Sequence, residues 1–140
     1  MENSLPATVV SANPAVPGNW VLLVEDNETI AHLLEIYLGR LGLAVRWCQF
    51  GQQALEAFTE QPASIRLVVA DCRLPDMDGR EVCRRLRQTR ADLPVLLMSG
   101  NVAIRNLAPL APGAGIEFLA KPYSPAEFVA RVQRILVEAA

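Results

Sequence analysis

From Trp20 onward, short apolar runs alternate with amphipathic stretches. "WVLLV" (20–24), "LAVRWC" (43–48), "RLVVA" (66–70), "PVLLM" (94–98) and "IEFLA" (116–120) read as strands buried on both faces. After "EDN", the residues Ile30, Leu33, Leu34, Tyr37, Leu38 and Leu41 recur at helical spacing, and Gly42 marks the stop. Ala54, Leu55 and Phe58 predict a short second helix, and Val82, Cys83 and Leu86 a third over about 80–88. The final helix opens with "SPAE": Ser124 can cap, Pro125 suits the first turn and Glu127 completes a capping box. Its apolar face is Phe128, Val132, Ile135, Leu136 and Ala139. Between the fourth and fifth strands, "NVAIRNLAPLAPGAG" is ambiguous, because Pro109 and Pro112 cut a helix there short.

Strands alternating with helices in this way predict an α/β fold, a parallel sheet covered on both faces. Right-handed crossovers leave few topologies. The one that fits is the flavodoxin-like (βα)5 doubly wound sheet of order 2-1-3-4-5, which places ligands beyond the carboxyl ends of its strands. Residues 1–18, "MENSLPATVVSANPAVPG", carry one charge, three prolines and no sustained periodicity. They read as a flexible leader or linker outside the fold, leaving 19–140 as one domain.

Composition narrows the function classes. The chain has 140 residues, enough for one domain, and 51% are hydrophobic, enough for a full core. Thirteen basic against fifteen acidic side chains (net −2) give none of the basic footprint of a nucleic-acid binder. Cys48, Cys72 and Cys83 have no CxxC spacing, which argues against a disulfide framework or zinc site and for a reducing cytoplasmic setting. No apolar run approaches membrane-spanning length, and the N-terminus lacks the basic and apolar regions of a secretory signal.

The chemistry lies after the strands. Glu25 and Asp26 follow the first, Asp71 the third, Ser99 and Gly100 the fourth, and Lys121 and Pro122 the fifth. Strands one and three are neighbours in the expected order, so three carboxylates share one crevice. Like charges about 4 Å apart repel by roughly 4 kcal/mol at an effective dielectric near 20, so the cluster needs a cation or a proton. Hard oxygen ligands suit Mg²⁺ or Mn²⁺. Beside such an ion, Asp71 can act as a carboxylate nucleophile toward phosphorus. Lys121 would pair with one phosphoryl oxygen and Ser99 would donate to another, while Gly100 leaves room for the backbone to approach.

The motifs "VED" (24–26), "ADCRLPDMDG" (70–79), "MSG" (98–100) and "FLAKPY" (118–123) stand in order at the ends of predicted strands. Over residues 20–139 the chain resembles the receiver domain of two-component response regulators. The resemblance implies that Asp71 is the phosphoacceptor and that Asp26, Asp71 and the backbone carbonyl of Arg73 ligate Mg²⁺. It further implies that Glu25 acts through a metal-bound water, that Pro122 follows a cis bond, and that Ser99 and Phe118 form the switch. The donor would be a phosphohistidine on a histidine kinase or phosphotransfer protein. Glu25 stands where Asp is more frequent, and Phe118, at a position often held by Tyr, has no hydroxyl to bond. The switch it implies is driven by packing, with Phe118 turning inward and changing the surface of stretch 101–115, the fifth strand and the last helix.

Other readings weigh less. An aspartyl-phosphate phosphohydrolase would carry a DxD pair, but position 73 is Arg. A flavodoxin-like cofactor binder would need Ser, Thr and Gly after the first strand, where Glu25 and Asp26 instead repel phosphate. A receiver-like binding module that is not phosphorylated is disfavoured by intact Asp71, Ser99 and Lys121. Asp76 and Asp78 read as turn and helix-start residues without chemistry, and His32 as a solvated side chain. The arginines from 80 to 90 read as a solvated helix face, and the oligomeric expectation is a monomer or weak dimer.

Overall fold

The computed structural model describes residues 8–10, 18–100 and 115–139. The strands are β1 (Thr8–Val10), β2 (Trp20–Val24), β3 (Ala44–Cys48), β4 (Ile65–Asp71), β5 (Val95–Ser99) and β6 (Ile116–Ala120). The helices are α1 (Glu28–Arg40), α2 (Gly51–Glu60), α3 (Gly79–Thr89) and α4 (Pro125–Ala139). The sheet order is β1-β3-β2-β4-β5-β6, and every pairing from β3 to β6 is parallel. Without β1 this is the expected 2-1-3-4-5 order. The ambiguous stretch falls in 101–114, outside the described residues.

Local chemistry explains the boundaries. Asn27 caps α1 by accepting the Ile30 N–H at 3.0 Å, Glu28 and Arg40 complement the helix dipole, and Gly42 turns the chain at φ +82°. The capping box at the start of α4 forms reciprocally: Ser124 N–H donates to Glu127 at 2.8 Å and Glu127 N–H to Ser124 Oγ at 3.1 Å. Helix α2 begins at Gly51, earlier than its apolar residues predict. Its first N–H groups are satisfied by an acid from another part of the chain, described below, which no local pattern announces.

Side chains alternate along each inner strand and feed two cores. Leu22 and Val24 pack with Ala54 and Phe58 of α2 and with Val82, Cys83 and Leu86 of α3. Val21 and Leu23 pack on the other face with Ala31, Leu34 and Leu38 of α1 and with Phe128, Val132 and Ile135 of α4. Phe128 is fully buried and stacks on Tyr123 at a centroid distance of 5.9 Å. Burial of such a side chain contributes about 1.5–3 kcal/mol.

One element lies inside the stretch read as a flexible leader or linker. Strand β1 runs antiparallel along the outer edge of β3, with Val9 opposite Trp47. Three residues are too few to leave a periodic signal. Pairing there satisfies edge groups of β3 that would otherwise face solvent.

Candidate functional site

Strand register assembles the site. Val24 pairs with Ala70, so Glu25 and Asp71 are the next residues on neighbouring strands. Asp71 pairs with Met98, and Ser99 with Ala120, which brings Ser99 and Lys121 to the same sheet end. Asp71 and Ser99 are the last residues of their strands, where the sequence pattern ended each strand one residue sooner. Being inside the ladder, each is held by backbone pairing as well as by its neighbours.

Carboxylate oxygens of Glu25, Asp26 and Asp71 lie within 4.8 Å of one another. Glu25 and Asp71 are buried at 1% and 6% exposure, whereas Asp26 is exposed. Lys121 places its ammonium 2.7 Å from Asp71 Oδ2, and the Arg73 N–H donates to Asp71 Oδ1 at 3.1 Å. The Lys121 N–H donates to the Ser99 carbonyl at 2.8 Å, and the Lys121–Pro122 peptide is cis. Among the described residues, a Cβ on Gly100 would meet the Lys121 Cβ at 3.9 Å, an ordinary van der Waals contact. Gly79 is different. A Cβ there would lie 2.0 Å from the Asp71 carbonyl oxygen, because the Gly79 N–H must reach the Cys72 carbonyl.

Glu25 shows whether this donor set suits a cation. One carboxylate oxygen, Oε2, accepts the Asn27 N–H at 3.0 Å, but Oε1 is buried with no hydrogen-bond partner among the described residues. Burial raises this carboxyl from its ordinary 4.5 to about 7; the Asn27 N–H and Lys121 oppose the rise, while Asp71 and Asp26 add to it. A buried, unpartnered oxygen on an acid clustered with two more is costly without a proton or a metal and fits a hard divalent ion. The three residues form an acidic triad whose oxygens suit such an ion.

Two of the side chains that set the surroundings are ones the sequence did not single out. Trp47 donates its indole N–H to the Glu25 carbonyl at 2.7 Å, and Gln49 donates its amide to the Asp26 carbonyl at 3.3 Å. Asp76 accepts from the N–H groups of Gly51 and Gln52, at 2.8 and 2.9 Å. Asp78 caps α3, as its position before that helix predicts. His32 is solvent-exposed. Burial pushes the Cys72 thiol up to about 12, helped by the charges of Asp78 and Asp71, so its place beside Asp71 gives it no nucleophilic role. Phe118 is half-buried against the α2–α3 core. Among the described residues no helix is long and apolar enough to cross a membrane.

A profile of the response regulator receiver domain matches residues 21–133. The transcriptional regulatory protein GltR of Pseudomonas aeruginosa is 39% identical over 123 residues, covering 85% of this chain and 49% of that protein. The alkaline phosphatase synthesis transcriptional regulatory protein PhoP of Bacillus subtilis is 39% identical over 118 residues, covering 83% of this chain and 48% of that protein. The chain therefore spans about half the length of these regulators. The crystal structure of a response regulator receiver protein from Sinorhizobium medicae WSM419 superimposes with a TM-score of 0.77 at 26% identity, covering 86% of this chain and 96% of that one.

Proposed function

This chain belongs to the response regulator receiver domain family, and on that footing we propose that it takes a phosphoryl group from a phosphohistidine onto Asp71. It is a signalling phosphoacceptor, not an enzyme with a released product. The observation that carries the reading is the convergence of Glu25, Asp26 and Asp71 within 4.8 Å. Lys121 stands beside that cluster, 2.7 Å from Asp71.

Asp26, Asp71 and the Arg73 carbonyl would hold Mg²⁺ directly, with Glu25 acting through a bound water. The ion supplies charge neutralisation for the acids and for the phosphoryl oxygens. An Asp71 carboxylate oxygen attacks phosphorus as the phosphorus–nitrogen bond breaks. The histidine leaves as neutral imidazole when its other ring nitrogen carries a proton. Lys121 exchanges its contact with Asp71 for a phosphoryl oxygen, and Ser99 and the Gly100 N–H donate to the others. Drawing Ser99 toward the phosphoryl group opens space into which Phe118 turns, so the output surface changes by packing. The phosphoryl donor is a histidine kinase or phosphotransfer protein in the cytoplasm, a compartment that suits three buried thiols.

The test is incubation with acetyl phosphate and Mg²⁺ followed by intact mass. A phosphoryl adduct is expected on the wild-type protein and none with EDTA or in Asp71→Ala. An adduct of equal yield in Asp71→Ala would overturn the assignment.

A further inference from the structure

The loop from Cys72 to Asp78 carries Arg73, whose carbonyl is assigned to the cation. Its base is fixed by the Gly79 N–H to Cys72 carbonyl bond at 2.9 Å and by a bridge between Arg73 and Asp78. The middle of the loop has a separate anchor on another element. Both Asp76 carboxylate oxygens are engaged by α2, accepting from Gly51 at 2.8 Å and from Gln52 at 2.9 Å. Met77 packs tightly at the same place, since a Cβ on Gly51 would lie 2.5 Å from Met77 Cγ. Burial opposes ionisation of Asp76, but the N–H groups of Gln52 and Gly51, with its own and that of Met77, outweigh it and hold the carboxyl below its ordinary range.

The segment from Trp47 to Gln53 thereby grips both halves of the acidic cluster. Trp47 and Gln49 hold the Glu25–Asp26 turn by its carbonyls, and the first turn of α2 holds the Asp71 loop through Asp76. The Gln53 side chain closes this segment on itself, accepting from Phe50 N–H at 3.0 Å. A turn aspartate serving only its own loop would bond within two or three residues. Asp76 also bonds 25 and 24 residues away.

We propose that Asp76 is a positioning residue for the phosphoryl-accepting site, tethering the Asp71 loop to α2 so that the Arg73 carbonyl and the Asp71 carboxylate stay in register for the cation. The inference rests on the reading of Asp71 as phosphoacceptor. It makes the start of α2 part of the metal site's support, although α2 contributes no group to the acidic cluster.

The experiment titrates Mg²⁺ alone into wild-type protein, Asp76→Ala and Asp76→Asn, following amide NMR shifts, with the melting temperature measured in parallel. Asp76→Ala is expected to weaken Mg²⁺ by about tenfold, the size of effect found for partners that orient metal ligands. Asp76→Asn keeps one acceptor oxygen and should fall between the two. Saturating Mg²⁺ should bring acetyl phosphate labelling of both variants back to within about twofold of wild type, because the nucleophile is intact. Melting temperatures that fall while the dissociation constant stays at the wild-type value would overturn the proposal, leaving Asp76 as a helix cap only. If Asp76→Ala does not fold, Asp76→Asn decides by the same comparison. Wild-type protein that binds Mg²⁺ but takes no phosphoryl group would defeat the functional reading alone. Labelled wild type beside an Asp76→Ala variant of unchanged Mg²⁺ affinity would defeat the positioning role alone.

Discussion

Trp47 and Glu25 are joined by a 2.7 Å hydrogen bond from the indole N–H to the backbone carbonyl of the acid. The bond couples an aromatic on β3 to the turn that carries two of the three clustered carboxylates. Removing it with Trp47→Phe keeps most of the ring's packing and should cost about 1 kcal/mol, the usual net worth of such a bond. Tryptophan emission of the wild-type protein should change on adding Mg²⁺. The change should vanish in Trp47→Phe even though Trp20 remains, and persistence of the full change would refute the coupling.

Glu25 makes the metal-free protein sensitive to pH. Its folded carboxyl titrates near 7 against an ordinary 4.5. The folded state therefore holds an extra proton between those values, so stability falls as pH rises from about 4.5 to about 7 and is level above. The span amounts to at most about 3 kcal/mol. Mg²⁺ needs the carboxylate, so its affinity should rise through the same window and level off above pH 7, with proton release below it. Chemical denaturation and Mg²⁺ titration at pH 5.5 and 7.5 check both signs. Glu25→Gln should flatten the two profiles.

On the proposed function, Lys121 would compete with the cation for Asp71. Lys121→Met keeps the aliphatic stem and removes the charge 2.7 Å from Asp71. Mg²⁺ affinity should rise about threefold or more as that repulsion goes, while labelling of Asp71 by acetyl phosphate slows because a phosphoryl oxygen loses its partner. Asp71 is left buried without its ion pair, at a cost of about 1–2 kcal/mol given that the Lys121 side chain is 29% exposed. Isothermal titration beside labelling kinetics separates the opposed effects. Weaker Mg²⁺ binding would contradict the electrostatic account.

Gly79 lies against the backbone of Asp71. A Cβ there would stand 2.0 Å from the Asp71 carbonyl oxygen and 3.1 Å from the Cys72 Cα, both backbone atoms that cannot swing aside. Gly79→Ala should destabilise the domain by about 3 kcal/mol or more and lower the yield of phosphoryl adduct. A melting temperature within 2 or 3 °C of wild type, about the shift expected from under 1 kcal/mol, would show that the loop yields more easily than the contact implies.

Much of this was legible in the chain because it follows from periodicity and local chemistry. Buried strands declare themselves as unbroken apolar runs such as "WVLLV" and "PVLLM". The cap at Ser124 and the turn at Gly42 are set by residues one turn away, so they appeared where the pattern put them. The acids, the serine and the lysine could be gathered because a parallel sheet delivers every strand's carboxyl end to one rim.

Tertiary packing decided the rest. Strand β1 formed where no alternation announced it, because the edge of β3 offered unpaired backbone groups. The start of α2 and the bearing of Asp76 settled each other, through two hydrogen bonds between segments about 25 residues apart. Trp47 reads in isolation as a core or core-edge aromatic, and its indole partner is visible only once β2 and β3 lie side by side. The sequence by itself determined which groups could do chemistry and to which end of the sheet they go. Only the folded chain decided which neighbours hold them at working distance, because those bonds join residues whose separation along the chain carries no periodic trace.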